Sequence, residues 1–253
     1  MTSGRLRRRW VKVDGHRIHV REGIPAIRRP GSPTIVLVHG FVISSRYMRP
    51  FAASLARRGW QTIAPDLPGF GLSDGHGVRP SIDELARWLR RSIEAAGVEP
   101  PAILIGNSMG CQVAVRLAVR EPHWGQRLVL VGPTFDPSAS LARHALRLLA
   151  DLPRERLILW AEHVPDYVRA GPRRVVATLR EAWAHQIQHD LPRVHAPVLV
   201  VRGSRDPIAP ARWVCEAADL AADGYRATVP GAPHATNYSA PDALADTIGA
   251  FLG

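Results

Sequence analysis

A serine stands between two glycines in "IGNSMGC", residues 105–111, directly after the apolar run "PAILI". Glycine at both flanks removes the Cβ atoms that would collide in a sharp strand-to-helix turn, which pushes the Ser108 side chain out above a sheet. Beside it a helix N-terminus offers unpaired N–H groups, with that of Met109 foremost, to developing negative charge. The chemistry this permits is attack on a carbonyl carbon. A serine hydroxyl needs a base for that, and the base needs an orienting acid. Asp206 lies three residues after "VLVVRG", with Pro207 biasing it toward an extended backbone. His234 lies three residues after "ATVPG". The chain order is therefore Ser, Asp, His, with each residue just beyond an apolar run. Asp136, beyond "RLVLVG", is an alternative acid with a looser local frame. After "VLVHG" the Phe41 backbone N–H is expected to be the second oxyanion donor, and His39 reads as a structural hydrogen-bonder.

Rival groups fit less well. Cys111 falls in the first helical turn and is expected to face the core. His16 and His19 belong to an N-terminal hairpin, and His76, His123, His144, His163 and His195 read as surface or packing residues. His185 and His189 have i, i+4 spacing but no third ligand, so no metal is expected, and no cofactor motif is present.

These groups need elements to hold them at one place. "WVKVDGHRIHV" alternates about Asp14-Gly15 as a β-hairpin. Apolar runs at 34–40, 61–66, 101–106, 127–132, 196–203 and 225–231 then read as strands, and those without polar alternation indicate a parallel sheet buried on both faces. Helices are expected near Met48 to Arg58, Ile82 to Ala96, after Ser108, near Ala211 to Leu220, and from Pro241 to Leu252. Between 133 and 191 only helical patterns occur. This divides the chain into an α/β core, 1–132 and 192–253, with a helical cap, 133–191, over the ends of the strands where ligands bind. Leu148, Leu149, Trp160, Tyr167 and Trp183 of the cap are expected to line an apolar pocket.

The composition narrows the alternatives. At 253 residues and 46% apolar, the chain can bury one large core. It lacks both a secretory apolar segment and a membrane-length run, which points to the cytoplasm. Two cysteines fit a reducing compartment and free thiols. The net charge of +11 comes from arginines spread through nearly every helix, with Lys12 the single lysine. That distribution argues against a nucleic-acid surface, and a lone lysine leaves little room for Schiff-base chemistry. "RLRRR" at 5–9 reads as a solvated tail. The expected partner is a small-molecule ester, with neither nucleic acid nor membrane, and the chain itself a monomer or homodimer.

Taken together, "VLVHGF", "APDLPGFGLSD", "IGNSMG", "RGSRDP" and "GAPH" resemble the α/β-hydrolase fold family over nearly the whole chain outside the cap. The resemblance implies Ser108 as nucleophile, Asp206 as acid, His234 as base, and Phe41 with Met109 as oxyanion donors. A serine at this turn argues against the dehalogenases and epoxide hydrolases of that family, which use a carboxylate nucleophile. "GNSMG" is similar to the corresponding turn of meta-cleavage C–C hydrolases, but "HGFVISS" and Ala235 depart from that group. Cleavage of carboxylic esters is the favoured reading. The alternatives are C–C bond hydrolysis, which needs a clamp for an acidic substrate, and lactonase, acyltransferase, lyase or receptor use of the same scaffold.

Overall fold

Strand residues alternate between the two faces of a sheet, and here both faces are apolar. In the computed structural model, which describes residues 4–155 and 157–253, Ile35 and Leu37 of β3 (Ile35–Val38) join one buried cluster while Val36 and Val38 join another. The same division runs through β5 (Ala102–Asn107), β6 (Gly125–Val131) and β7 (Val198–Gly203). One cluster is closed by α1 (Arg49–Arg57) and α9 (Pro241–Leu252), the other by α2 (Ile82–Ala95), α3 (Met109–Arg120) and α7 (Ala211–Leu220). The result is a doubly wound α/β sheet, completed by β4 (Thr62–Pro65), β8 (Gly224–Val229) and a hairpin of β1 (Arg5–Val13) and β2 (His16–Ile24).

The eight strands lie in the order β1-β2-β4-β3-β5-β6-β7-β8. The hairpin pairs antiparallel with itself and with β4, and all other pairs are parallel. After β3 the chain crosses to β4 on one side, and after β4 it returns past β3 to β5 on the other. The carboxyl ends of β3 and β5 therefore flank the point where the winding reverses, and a crevice opens there because the two connections leave in opposite directions. The turns after β3 and β5 carry "HGF" and Ser108.

The hairpin begins earlier than its apolar alternation suggests. "RLRRR" is not a tail but the first half of β1, in register with β2 from Arg5↔Ile24 onward. The Nε atoms of Arg7 and Arg9 donate to the Glu22 carboxylate of β2 at 2.6 and 2.9 Å, and Arg9 also donates to the Ala96 carbonyl at 2.6 Å. A charged run reads as solvated when its partners lie on another strand.

Between β6 and β7 the described residues form helices: α4 (Leu141–Asp151), α5 (Leu157–Ala184) and α6 (Ile187–Asp190), with short 3-10 turns. Ser140 caps α4 by accepting the Arg143 N–H at 3.3 Å. α5 is bent at Gly171, whose φ of 70° is left-handed, and Pro172 follows it. A short helix α8 (Thr236–Ser239) between His234 and α9 has no counterpart in the apolar pattern. None of the described helices is long and apolar enough to cross a membrane.

Candidate active site

The turn at Ser108 is as tight as its glycines imply. Ser108 has φ 56° and ψ −123°, a conformation that costs a non-glycine residue energy and persists where the surroundings enforce it. A Cβ on Gly106 would come within 2.4 Å of the Gly110 carbonyl oxygen, and one on Gly110 within 2.3 Å of the Val38 carbonyl oxygen. Both contacts are with backbone, so neither position can hold a larger residue without moving a strand or a helix. The tip is pinned by the Ser108 N–H donating to Val131 at 2.9 Å, and α3 starts when Cys111 N–H reaches the Ser108 carbonyl at 3.0 Å. Cys111 is buried, and burial pushes its thiol well above the ordinary range, so no thiolate competes with Ser108.

The loop after β3 lies against this turn. A Cβ on Gly40 would be 3.2 Å from Ser108 Cβ, and Val42 takes a positive φ of 50°. Phe41, between them, lines the same cavity as Met109 and Ser108. His39 is a linker: its Nε2 accepts the Leu67 N–H at 2.9 Å, so its Nδ1 carries the proton and donates to the Gly40 carbonyl at 3.0 Å. Burial lowers its affinity for a second proton. Asp66, inside "APDLPGFGLSD", gathers the neighbouring turns by accepting the N–H groups of Ser45 at 2.7 Å and Leu72 at 2.9 Å, and His19 Nδ1 at 2.9 Å. The sequence does not signal this role, because two of these partners are main-chain groups and His19 lies on a distant strand.

On the far side, Asp206 Oδ2 sits 2.9 Å from His234 Nδ1. Its other oxygen accepts the N–H groups of Ile208 at 2.7 Å and Ala209 at 3.0 Å, which fixes the carboxylate in the orientation that meets the imidazole. The Nδ1 proton faces the carboxylate, and Nε2 is left as the basic nitrogen. Gly132 makes room for the pair. It has φ 56°, and a Cβ there would be 3.0 Å from His234 Nδ1 and 3.1 Å from Asp206 Oδ2. Burial works against a proton on His234, but the charge and hydrogen bond of Asp206, with Asp151 and Glu155 behind, outweigh it and raise the imidazole to about 9. The rival acid is occupied elsewhere. Asp136 binds Arg147 at 2.9 Å and Arg212 at 2.6 Å, and although burial alone would raise it, these partners and Ser138 hold it below the usual carboxylate range.

Ser108 and His234 open on one cavity of about 330 Å3. Its far wall comes from α4 and α5. Leu141, Ala145, Leu148 and Leu152 recur at helical spacing along that wall, and Tyr167 adds an aromatic edge 6.4 Å from the Phe41 ring. Two expected wall residues are elsewhere. Leu149 is rotated one residue off that stripe and is 60% exposed, and Trp183 packs its ring against Phe135 and His144, bordering a separate pocket of about 180 Å3. Trp160 lies outside the residues whose side chains are described. Conversely, His144 and His163 line the cavity although their sequence context suggests surface or packing positions. Burial lowers both, His163 to about 4, which makes them poor rivals for the base. Among the described lining residues the charged side chains are Asp151 and Glu155, with no arginine or lysine. No group of three or more metal-binding side chains is placed together among the described residues.

The family model of the alpha/beta hydrolase fold matches residues 33–166, just over half of the chain. The chain belongs to the α/β-hydrolase fold family. Within it, pyrrolizixenacetamide deacetylase of Xenorhabdus hominickii is 28% identical over 201 residues, covering 70% of this chain and 75% of that protein. The 2-(acetamidomethylene)succinate hydrolase of Mesorhizobium japonicum is 24% identical, covering 89% and 90%. The solved structure of lip1 from Acinetobacter baumannii superposes with a TM-score of 0.81 at 20% identity, covering 98% of this chain and 91% of that one, a likeness of fold. Like these relatives, this member of the α/β-hydrolase family is a hydrolase.

Proposed function

We propose that the chain is a serine esterase acting on small to medium uncharged carboxylic esters. The observation that carries this reading is the buried His234–Asp206 pair facing the same cavity as a serine held in a left-handed conformation. Ser108 Oγ attacks the ester carbonyl while His234 Nε2 takes its proton, and Asp206 holds the imidazolium that forms. The Phe41 and Met109 N–H groups receive the oxyanion, a contribution of several kcal/mol. Collapse releases the alcohol, protonated by His234, and leaves an acyl-enzyme. Water, deprotonated by the same imidazole, then frees the acid and restores Ser108.

The substrate class follows from the wall. A cavity of about 330 Å3 is at the small end for ligand sites, and its lining is aliphatic and aromatic apart from acidic groups near His234. A dicarboxylate such as the succinate in the Mesorhizobium relative's name, or the acid of a C–C hydrolase substrate, meets two carboxyls and no described cation there. The deacetylase relative favours a second acyl-donor class, acetamides, which the same attack would open with release of the amine. The test is turnover of p-nitrophenyl esters of increasing acyl length beside an acetanilide and a vinylogous 1,5-diketone acid. Each buried methylene contributes about 0.8 kcal/mol, so kcat/KM is expected to rise roughly fourfold per carbon until the cavity is full. Turnover of the diketone acid with none of any ester would overturn the proposal in favour of C–C hydrolysis.

A further inference from the structure

α4 ends at Asp151, and the turn Leu152–Arg154 delivers Glu155 to the loop that carries His234. Glu155 Oε1 accepts the Ala235 N–H at 2.5 Å and Oε2 accepts the Ser239 hydroxyl at 2.8 Å. Asp151 Oδ1 lies 3.4 Å from the His234 N–H. The two Glu155 contacts fall at either end of α8, so they fix both the position and the rotation of the segment that directly follows His234. Both carboxyls are more than nine-tenths buried, Glu155 at 8% and Asp151 at 5% exposure. Burying two carboxyls side by side is costly, and the partners that offset it are the His234 and Ala235 N–H groups, the Ser239 hydroxyl and each other. The base thus hangs from the fold at two points: its ring from Asp206 in the core, its main chain from the inserted helices.

We propose that Glu155 is a positioning residue through which the inserted segment holds His234 in register with Ser108. The inference rests on the reading of His234 as the base. It makes the far wall of the cavity part of the machinery that places the base, so that packing of that segment and proton transfer at Ser108 are linked.

The groups facing Glu155 come from three directions. Asp151 lies at the end of α4, His234 just ahead of α8 with Ser239 at its last position, and Tyr47 ahead of α1. Burial raises Glu155, the Ala235 N–H and Ser239 hydroxyl draw it down, and Asp151 raises it again, leaving it at about 7. Burial followed by the nearby carboxylates holds the Tyr47 hydroxyl well above its ordinary range, so it stays neutral. Near pH 9 Glu155 is ionised, and its charge is one of those that hold the proton on His234. Glu155→Gln keeps an oxygen for the Ala235 N–H but removes the charge. Glu155→Ala removes both.

The experiment measures kcat and KM for a short p-nitrophenyl ester from pH 5 to 10 on wild type, Glu155→Gln, Glu155→Ala and His234→Ala, with thermal unfolding of each. Glu155→Ala is expected to lose roughly 10- to 100-fold in kcat with KM nearly unchanged, the effect of a small misplacement of a catalytic group. Glu155→Gln is expected to recover most of that loss. Its acid limb of kcat/KM should move down by roughly half a pH unit, because one negative charge near the imidazole is gone. Wild-type kcat and limb in Glu155→Ala, with His234→Ala inactive, would overturn the positioning role and leave the base assignment standing. Full activity of His234→Ala would remove the base assignment, and this inference with it. A rise in KM at constant kcat in both Glu155 variants would make Glu155 a pocket wall and refute the proposal. Should Glu155→Ala not fold, Ser239→Ala removes only the outer contact. A loss of roughly three- to tenfold in kcat supports the role, and an unchanged kcat refutes it.

Discussion

The floor and the far wall of the cavity are held by different forces. The floor, at the ends of β3, β5 and β6, depends on glycines: at 106 and 110 they let main chains approach to distances no side chain permits, and at 40 and 132 they leave room for Ser108 and for the His234–Asp206 pair. The α5 part of the wall is joined to the core through side chains. Ser44 donates to Asp166 at 2.6 Å, Arg49 pairs with Glu162 at 2.9 Å, Gln112 donates to the Ala182 carbonyl at 2.8 Å, and Arg174 binds the carbonyls of Pro68, Gly75 and Val78. Backbone contacts at that range have no graded alternatives. Side-chain contacts can be exchanged one at a time. The floor therefore sets the chemistry, and the wall is where substrate preference can change without unfolding the sheet.

The sharpest test of that division is at the floor. Ser108→Ala is expected to lower ester turnover at least about 1,000-fold and to abolish labelling by a fluorophosphonate, while the fold survives. Labelling that moves to Cys111 would break the assignment. Asp206→Asn is expected to cost roughly 100- to 10,000-fold in kcat because the imidazole loses the partner that sets its tautomer, whereas Asp136→Asn should leave kcat within a few-fold. The reverse ranking would move the acid to the loop after β6.

The pH profile refines the same picture. Because the folded environment raises His234 to about 9, the protonated ring predominates at neutral pH, and kcat/KM is expected to climb with pH until the proton leaves. A profile already flat at pH 6 would mean that the carboxylates around the imidazole are themselves protonated.

The smallest effects belong to the wall. Leu104→Ala, in the buried centre of β5, is expected to cost about 3 kcal/mol of stability, and Leu149→Ala on the exposed side of α4 less than about 0.5 kcal/mol. Leu148→Ala should leave stability nearly as untouched but shift the preferred acyl length upward by roughly one or two carbons, since it enlarges the cavity. Equal losses of stability at all three sites would erase the distinction between floor and wall.

How much of this was legible in the sequence follows from the same contrast. Strands buried on both faces read as continuous apolar runs, and "PAILI", "RLVLV" and "APVLVV" each fall on a strand. The glycine-fenced serine announced its turn because close backbone approach leaves few residue choices. The wall gave weaker signals. On α4, Leu148 and Leu149 are chemically the same and differ only by a rotation of about 100°. Only the docking of the helix decides which one sees the cavity. Glu155 and Asp66 are hard to see for a related reason: each binds main-chain N–H groups as well as a side chain from a distant segment, and main-chain partners have no residue type to recognise. Gly132 is merely the last residue of the apolar run "RLVLVG", and its need for space appears only once His234 and Asp206 are brought against it.

The arginines of β1 carry a consequence for the molecule as a whole. β1 is an outer strand of the sheet, with one row of its main-chain donors and acceptors unpaired within the sheet. A second copy adding its own β1 there, parallel and in register, would bring Arg5, Arg7, Arg8 and Arg9 against the same four cations, with Glu22 already engaged by Arg7 and Arg9. Mutual repulsion at a separation of about 5 Å opposes that pairing strand by strand. The run that looks like a basic tail thus lines an open β edge with like charges, so that pairing with a second identical strand would have to overcome their repulsion.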